Sequence, residues 1–458
     1  MKRKMKRLCA YVVMSCLALS MMGCSTSTQT NETTSSSEGT SSSEGTSSSE
    51  GTSSSEGTSS ESATASSDVT LSIALWDSNQ LPGLTEIFEE FTSNTGIQTE
   101  VTLVTYAEYW TMLEAGAQGG SLPDVFWMAN KDAERYMSND LLLDLTDKIE
   151  ASAEIEYENY PEDLWELYMY DGKTYAVPKD MDTIALWYNK SMFDEAGIPY
   201  PDETWTWDTL REVAQQLTKE DGSQYGFVTA PDDHNDGWYN LVYSMGGEVL
   251  NEDNTASMLD SAESIKAYQY LADIIADGSM PDLSSISENS VSGLFTAGKV
   301  AMTLGGSWMV ASYRDNEYTA ENADVAVLPM DSETGRRVSV YNGLGWVASA
   351  NGDYTEEAWL LIEYLGSEEG QAMQAELGVT MSAYNGLAEL WTTSVEGFSL
   401  ENHLAMMDDV VIYPYTKSTA VWETLINEDM KSLFLETITP EDLGAKMAED
   451  MNAVIAEE

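Results

Sequence analysis

Apolar positions in the first hundred residues after Asp68 follow two alternating periods. Residues 69–75 alternate and are rich in β-branched side chains, which predicts a strand. Leu84, Ile87, Phe88 and Phe91 then recur at helical spacing and stop near Asn94 and Gly96. Residues 98–104 predict a second strand, residues 109–117 a second helix, and residues 123–127 a short apolar run suited to the interior of a sheet. A β-α-β-α-β order implies a parallel sheet wrapped by helices, with ligand sites beyond the carboxyl ends of the strands. Asp77 and Trp127 fall at such ends.

Residues 175–190 give two extended pieces interrupted at Pro178 and at 180–183, a pattern expected of a crossing between two lobes. Helical periodicity returns at 207–217, 238–245, 262–276 and 293–297, a small hairpin is expected around 251–254, and residues 301–304 form a strand running into Gly305-Gly306-Ser307-Trp308. About 390 residues from Asp68 onward are long for one core and comfortable for two.

The N-terminus has a different texture. Lys2, Arg3, Lys4, Lys6 and Arg7 precede a short apolar run, residues 8–22, which ends at Gly23-Cys24. The junction resembles the lipobox of bacterial lipoproteins, although Met21 and Met22 replace the usual leucine and small residue. The resemblance implies cleavage after residue 23 and diacylglyceryl modification of the Cys24 thiol. An ordinary secretory peptide is the alternative. Ser-Ser-Ser-Glu-Gly-Thr then recurs, and residues 24–67 hold too few apolar side chains to offset chain entropy, so a solvated tether is expected. As a coil such a segment spans roughly 35–40 Å.

Composition narrows the partners. Five of the 21 Lys and Arg, and none of the 78 Asp and Glu, lie in residues 1–23, so the remainder has 16 basic against 78 acidic groups and a formal charge of −62. The basic footprint of nucleic-acid binding is missing, and polyanionic ligands are disfavoured. All three cysteines lie at or before position 24 and only His234 and His403 are imidazoles, so no metal and no cofactor is expected. The segment from Asp232 to Tyr243 starts like a calcium loop, but His234 at its third position and Tyr243 at its twelfth break the pattern.

Residues 123–127, 176–190, 295–308, 325–329 and 343–378 resemble, in order and spacing, the extracellular solute-binding proteins (family 1) of carbohydrate ABC importers, the family that includes the maltose-binding protein. The resemblance covers residues 68–458. It implies an α/β fold of the two-lobed, periplasmic-binding-protein-like class II, with a hinge and an inter-lobe cleft. Crossings between lobes would fall near Met181, Leu328 and Met381. Lobe one would then combine 68–180 with 329–381, and lobe two 181–328 with 382–458.

Thirteen tryptophans against 8 phenylalanines suit sugars, whose apolar C–H faces stack on rings while the rim hydroxyls need polar partners. Core packing is the bland alternative for any one of them. The resemblance places Trp127, Trp308 and Trp422 at platform positions and Asp182 at a hinge position that accepts from hydroxyls. Asp77, at a strand end, is a further acceptor candidate, and Asn130, Trp238, Asn342 and Trp346 complete the candidate ligand set.

The implied function is a lipid-anchored, monomeric receptor on the outer face of the cell membrane. It would close on a neutral sugar, an oligosaccharide on the count of platforms, and deliver it to the permease subunits of an ABC transporter. A tethered glycoside hydrolase, with two carboxylates flanking the scissile bond, and a sugar-sensing receptor of the same fold are the alternatives.

Overall fold

The computed structural model describes residues 68–458. The expected signal peptide, Cys24 lipidation and tether lie outside the described residues.

The first sheet follows from the opening periodicity. β1 (Thr70–Leu75) pairs in parallel with β2 (Gln98–Leu103) and with β3 (Val125–Met128). The helix Leu81–Thr95 buries Leu84, Ile87, Phe88 and Phe91 and stops at Gly96, whose left-handed conformation lets its N–H reach the Thr92 carbonyl at 2.8 Å. Thr105 and Glu108 close a capping box at the start of helix Tyr106–Gly119. A hairpin of β4 (Met169–Tyr170) and β5 (Lys173–Thr174) leads to β6 (Val177–Pro178) and then to β7 (Ile184–Asn189), which is buried throughout.

The second sheet is antiparallel and centred on β7, flanked by β8 (Met302–Gly306) and β9 (Ala323–Ala326). β10 (Ser339–Tyr341) then crosses back, and β11 (Gly345–Ala348) completes the first sheet in the order β2-β1-β3-β11-β6. β12 (Val410–Ile412) pairs in parallel with β10. Two apolar cores result: Ile73, Phe88, Trp127, Trp346 and Leu361 belong to one, which also takes in Trp187 and Val325 of the second sheet, and Leu186, Trp207, Val242, Leu271 and Met447 to the other.

Between the cores the connecting segments are stitched together. The Asp182 N–H donates to the Asn342 carbonyl at 2.7 Å, Met181 N–H to the Met381 carbonyl at 3.2 Å, and Tyr413 N–H to the Tyr341 carbonyl at 2.9 Å. Met181 and Met381, two of the expected crossing positions, are therefore hydrogen-bonded neighbours. Residues 330–340 stay with lobe two: Val338 and Val340 pack in its core, Lys266 holds Asp331 at 2.9 Å, and the chain passes over only at Tyr341. The Asp331 carboxylate accepts from the N–H groups of Glu333 and Thr334, making a turn that folds this segment back after Pro329. Trp391 belongs to the core cluster that contains Trp346 and that also takes in Trp187 and Val325 of the second sheet, and residues 399–402 are tied to that sheet: the Ser399 N–H donates to Asp324 at 2.7 Å and the Asn402 side chain to the Val325 carbonyl at 2.9 Å.

Candidate functional site

A cavity of about 800 Å³ lies between the two cores, and both supply its walls. In lobe one it is reached at the carboxyl ends of β1 and β3. The chain leaves β1 through Trp76 and Asp77 and leaves β3 into Asn130 and Lys131, all four lining the cavity. Trp76 packs edge-on against Tyr106, Tyr109 and Trp127, with ring centroids 5.5, 4.8 and 4.8 Å away. The Asp77 carboxylate is held by the Asn79 N–H at 2.8 Å and by the side chains of Asn79 and Gln80, each at 3.0 Å. The Lys131 ammonium stands 5.2 Å from the Tyr106 centroid and 5.7 Å from that of Trp110. Burial would lower its pKa, but Tyr106 and then Glu423 outweigh that and the net shift is upward.

Below this wall, Lys179 is fully buried. Its ammonium donates to Asp180 at 2.5 Å and Gln80 Oε1 at 2.9 Å, and lies 4.8 Å from the Trp127 centroid. Asp180 also accepts from the Leu344 N–H at 2.8 Å, so the ion pair joins lobe one to the strand that returns through the hinge.

Lobe two presents a different chemistry. Residues Asp232, Asp233, His234, Asn235 and Asp236 form a loop on the cavity wall, leading through Gly237 into helix Tyr239–Ser244. A Cβ at Gly237 would lie 2.7 Å from Thr229 Oγ1 and 2.8 Å from Asp233 Cβ, so the loop closes only around glycine. Burial, followed by repulsion from neighbouring carboxylates, raises the pKa of Asp233 well above the ordinary value; burial also raises that of Asp236. Neither carboxylate has an ion-pair partner among the described residues.

Tyr413 donates its hydroxyl proton to Glu423, which leaves its oxygen to accept from His234 Nδ1 at 3.3 Å. Nδ1 of His234 is thereby the donor of this contact. His234 Nε2, Asn235 Oδ1 and Asn427 Oδ1 are shielded and have no hydrogen-bond partner within the protein; neither has Asn130 Nδ2 on the opposite wall. Each such group costs about 1–3 kcal/mol until a partner arrives.

At the hinge, Asp182 accepts from the Ser307 hydroxyl at 2.7 Å and lines the cavity beside Asn342. Burial, then the proximity of Asp180, pushes its pKa well upward. Trp308, half-buried, stands at the end of β8 and faces the same space.

Of the residues expected to contact ligand, Asp77, Asn130, Asp182, Trp308 and Asn342 therefore line one cavity. Trp127, Trp238, Trp346 and Trp422 do not: they are at most 1% exposed, and a ring without a free face offers no platform. Trp127 and Trp346 sit in register on β3 and β11, with centroids 5.9 Å apart, in a sheet covered on both sides. Trp238 donates to the Pro231 carbonyl at 3.2 Å and supports the acidic loop from behind. On helix Thr419–Phe434, Ala420, Glu423, Thr424 and Asn427 form the cleft stripe, while Trp422 is one residue, about 100°, off it and faces the core.

Trp76, Tyr106, Lys131 and Glu423 were not among the expected contacts. Trp76 had a signal available, since it is the residue before Asp77 at the same strand end. Among the described residues no group of three or more His, Cys, Asp or Glu could hold a metal ion. No described helix is long and apolar enough to cross a membrane.

A family profile described as bacterial extracellular solute-binding protein matches residues 77–372. A binding protein of Brucella abortus is 30% identical over 209 residues, 44% of this chain and 49% of its own, so the chain spans about half the length of that relative. The galactooligosaccharide-binding protein of Bacillus subtilis is 24% identical over 328 residues, 69% of this chain and 73% of the relative. Among solved structures, an ABC substrate-binding protein from Listeria monocytogenes in complex with cycloalternan has a TM-score of 0.78 at 22% identity, over 85% of this chain and all of that one. A Streptomyces glaucescens receptor solved with acarbose gives 0.75 at 21% identity, over 85% of this chain and 98% of that one. These neighbours share the two-lobed class II fold, and the chain belongs to the bacterial extracellular solute-binding protein family.

Proposed function

We propose that the chain is the substrate-binding component of an ABC importer and captures a neutral oligosaccharide between its lobes. The observation that carries this reading is the meeting, around one cavity, of aromatic rings with carboxylate and amide side chains. Trp76, Tyr106 and Trp308 offer surfaces for the C–H faces of a pyranose, and the lining carboxylates of Asp232, Asp236 and Glu423 offer acceptors for its hydroxyl protons. Seven carboxylates against one lysine on the lining disfavour an anionic sugar. Relatives named for galactooligosaccharide, arabinooligosaccharide and maltodextrin binding point the same way.

In this reading hinge closure around the sugar is the output that the permease reads. Asp77, Asp182, Asn130, Asn342 and Trp308 are proposed contacts, joined by Trp76, Tyr106 and Lys131. Anchoring through Cys24, with residues 24–67 as leash, keeps the receptor at the outer face of the membrane, and Cys24→Ser is expected to release it into the medium.

Calorimetry with maltotriose, galactotriose and arabinotriose tests the central claim. At least one is expected to bind, and Trp308→Ala to weaken that binding by about tenfold or more. Release of reducing ends by the purified protein, or an unaltered affinity in Trp308→Ala, contradicts it.

A further inference from the structure

We propose that Gly306 is the positioning residue that fixes the seat of Trp308 and thereby the geometry of the lobe-two sugar platform. The inference rests on the platform reading of Trp308 given above.

A Cβ built on Gly306 would overlap the six-membered ring of Trp308 at Cζ3, Cη2 and Cε3. The indole is therefore folded back over the strand and lies on the bare Cα of a residue two positions earlier. Gly306 does not have the left-handed backbone that by itself calls for glycine, unlike Gly246 or Gly397. What excludes a side chain at 306 is the ring.

The ring cannot escape by moving its backbone. Ser307, between the two, is tied on both sides: its N–H donates to the Thr183 carbonyl at 3.1 Å and its hydroxyl to Asp182 at 2.7 Å. Gly306 is in register with Ile184 on β7, and Trp308 caps helix Met309–Asp315 with ordinary helical angles. A methyl group at 306 must then be met by rotation of the indole about its side-chain bonds, because a flat aromatic ring has no softer response. Rotation lifts the platform off the strand into the cavity and changes both its height and its tilt. Neighbouring Gly305 provides the contrast, since a Cβ there would meet Trp187 Cδ1 at 3.1 Å, a contact that small adjustments relieve, and the side chain concerned belongs to the core.

The primary test needs no ligand. In protein labelled with 5-fluorotryptophan, the Trp308 resonance is identified by its loss in Trp308→Phe. Gly306→Ala is expected to displace that resonance, whereas Gly305→Ala is expected to leave it in place and move that of Trp187. An unmoved Trp308 signal in Gly306→Ala overturns the proposal.

A stability cycle covers the case in which Gly306→Ala folds poorly. The alanine is expected to lower the urea midpoint in the wild-type background and to have little effect alongside Trp308→Ala, where the opposing ring is gone; equal losses in both backgrounds overturn the proposal. Affinity is then read with whichever of maltotriose, galactotriose and arabinotriose the wild type binds most tightly. Gly306→Ala is expected to weaken it about as much as Trp308→Ala, by roughly tenfold, and the double variant no further. Wild-type affinity in Trp308→Ala defeats the platform reading alone, because the resonance shift and the stability cycle stand without it. Weak binding by Trp308→Ala beside wild-type binding by Gly306→Ala defeats the role of Gly306 alone.

Discussion

The two walls of the cleft solve the problem of a polar interior in opposite ways. In lobe one the charged groups are compensated: Lys179 sits against Asp180, and the Asp77 carboxylate accepts three hydrogen bonds from its own turn. What this wall leaves open is aromatic surface and one ammonium, namely Trp76, Tyr106 and Lys131. In lobe two the carboxylates of Asp233 and Asp236 have no cation among the described residues, and His234 Nε2, Asn235 Oδ1 and Asn427 Oδ1 are shielded without a partner within the protein. Both walls present a ring, Trp308 being that of lobe two, but the lysine of the lining lies on lobe one and most of the carboxylates without a cation on lobe two. A molecule with apolar faces and many hydroxyls meets both walls at once only when the lobes are close together.

The largest effect expected from breaking this contrast is on stability. Asp180→Ala strands a fully buried ammonium with only neutral partners and is expected to cost about 3–5 kcal/mol in urea unfolding. Asp233→Asn removes an uncompensated charge, and the same measurement at pH 7 is expected to show no loss or a gain. Comparable losses in the two variants would erase the distinction between the walls.

A second effect comes from the hinge behind them. His403 is fully buried, its Nδ1 donating to the Thr183 carbonyl at 3.1 Å, and burial pushes its pKa down to about 3. Because the folded value lies below the unfolded one, this group holds its stabilising contribution above pH 6.5 and loses it as pH falls toward 3. Between pH 7 and pH 5 the loss amounts to about 2 kcal/mol, and His403→Gln is expected to remove most of that slope.

Trp76→Ala strips the lobe-one platform and should weaken the best-bound trisaccharide by about tenfold while the Asp236→Asn variant keeps its stacking partner; calorimetry compares the two.

The smallest effect has the opposite pH sign to that of His403. The raised pKa of Asp233 means that the folded state favours the proton, so its contribution is greatest below the ordinary carboxylate range and declines as pH rises through and above it. In a His403→Gln background the urea midpoint should therefore fall from pH 5 to pH 7, and adding Asp233→Asn should flatten that fall.

Much of the scaffold was legible because its signals are local. The spacing of Leu84, Ile87, Phe88 and Phe91, the stop at Gly96 and the β-branched alternation of β1 each act within a few residues. Candidates placed by a strand end or a hinge, Asp77 and Asp182, line the cavity for the same reason: the chain must emerge from the sheet there. The tryptophans were harder. Trp308 faces the cleft while Trp127 and Trp422 do not, although all three lie at element boundaries, because the second layer that covers β3 and the 100° step along the late helix are set by distant parts of the chain. The path of residues 330–340 is likewise set at a distance, since a carboxylate at Asp331 and an amine at Lys266, 65 positions apart, hold the segment to lobe two.

The sequence by itself thus determined the order of elements, the acidity that disfavours anionic ligands, and the basic-apolar-cysteine junction that marks the N-terminus. Tertiary structure alone decided which rings present a face, which carboxylates lack a cation, and why position 306 excludes a side chain. Periodicity and composition act along the chain, whereas exposure, charge compensation and steric fit depend on which distant residues pack nearby.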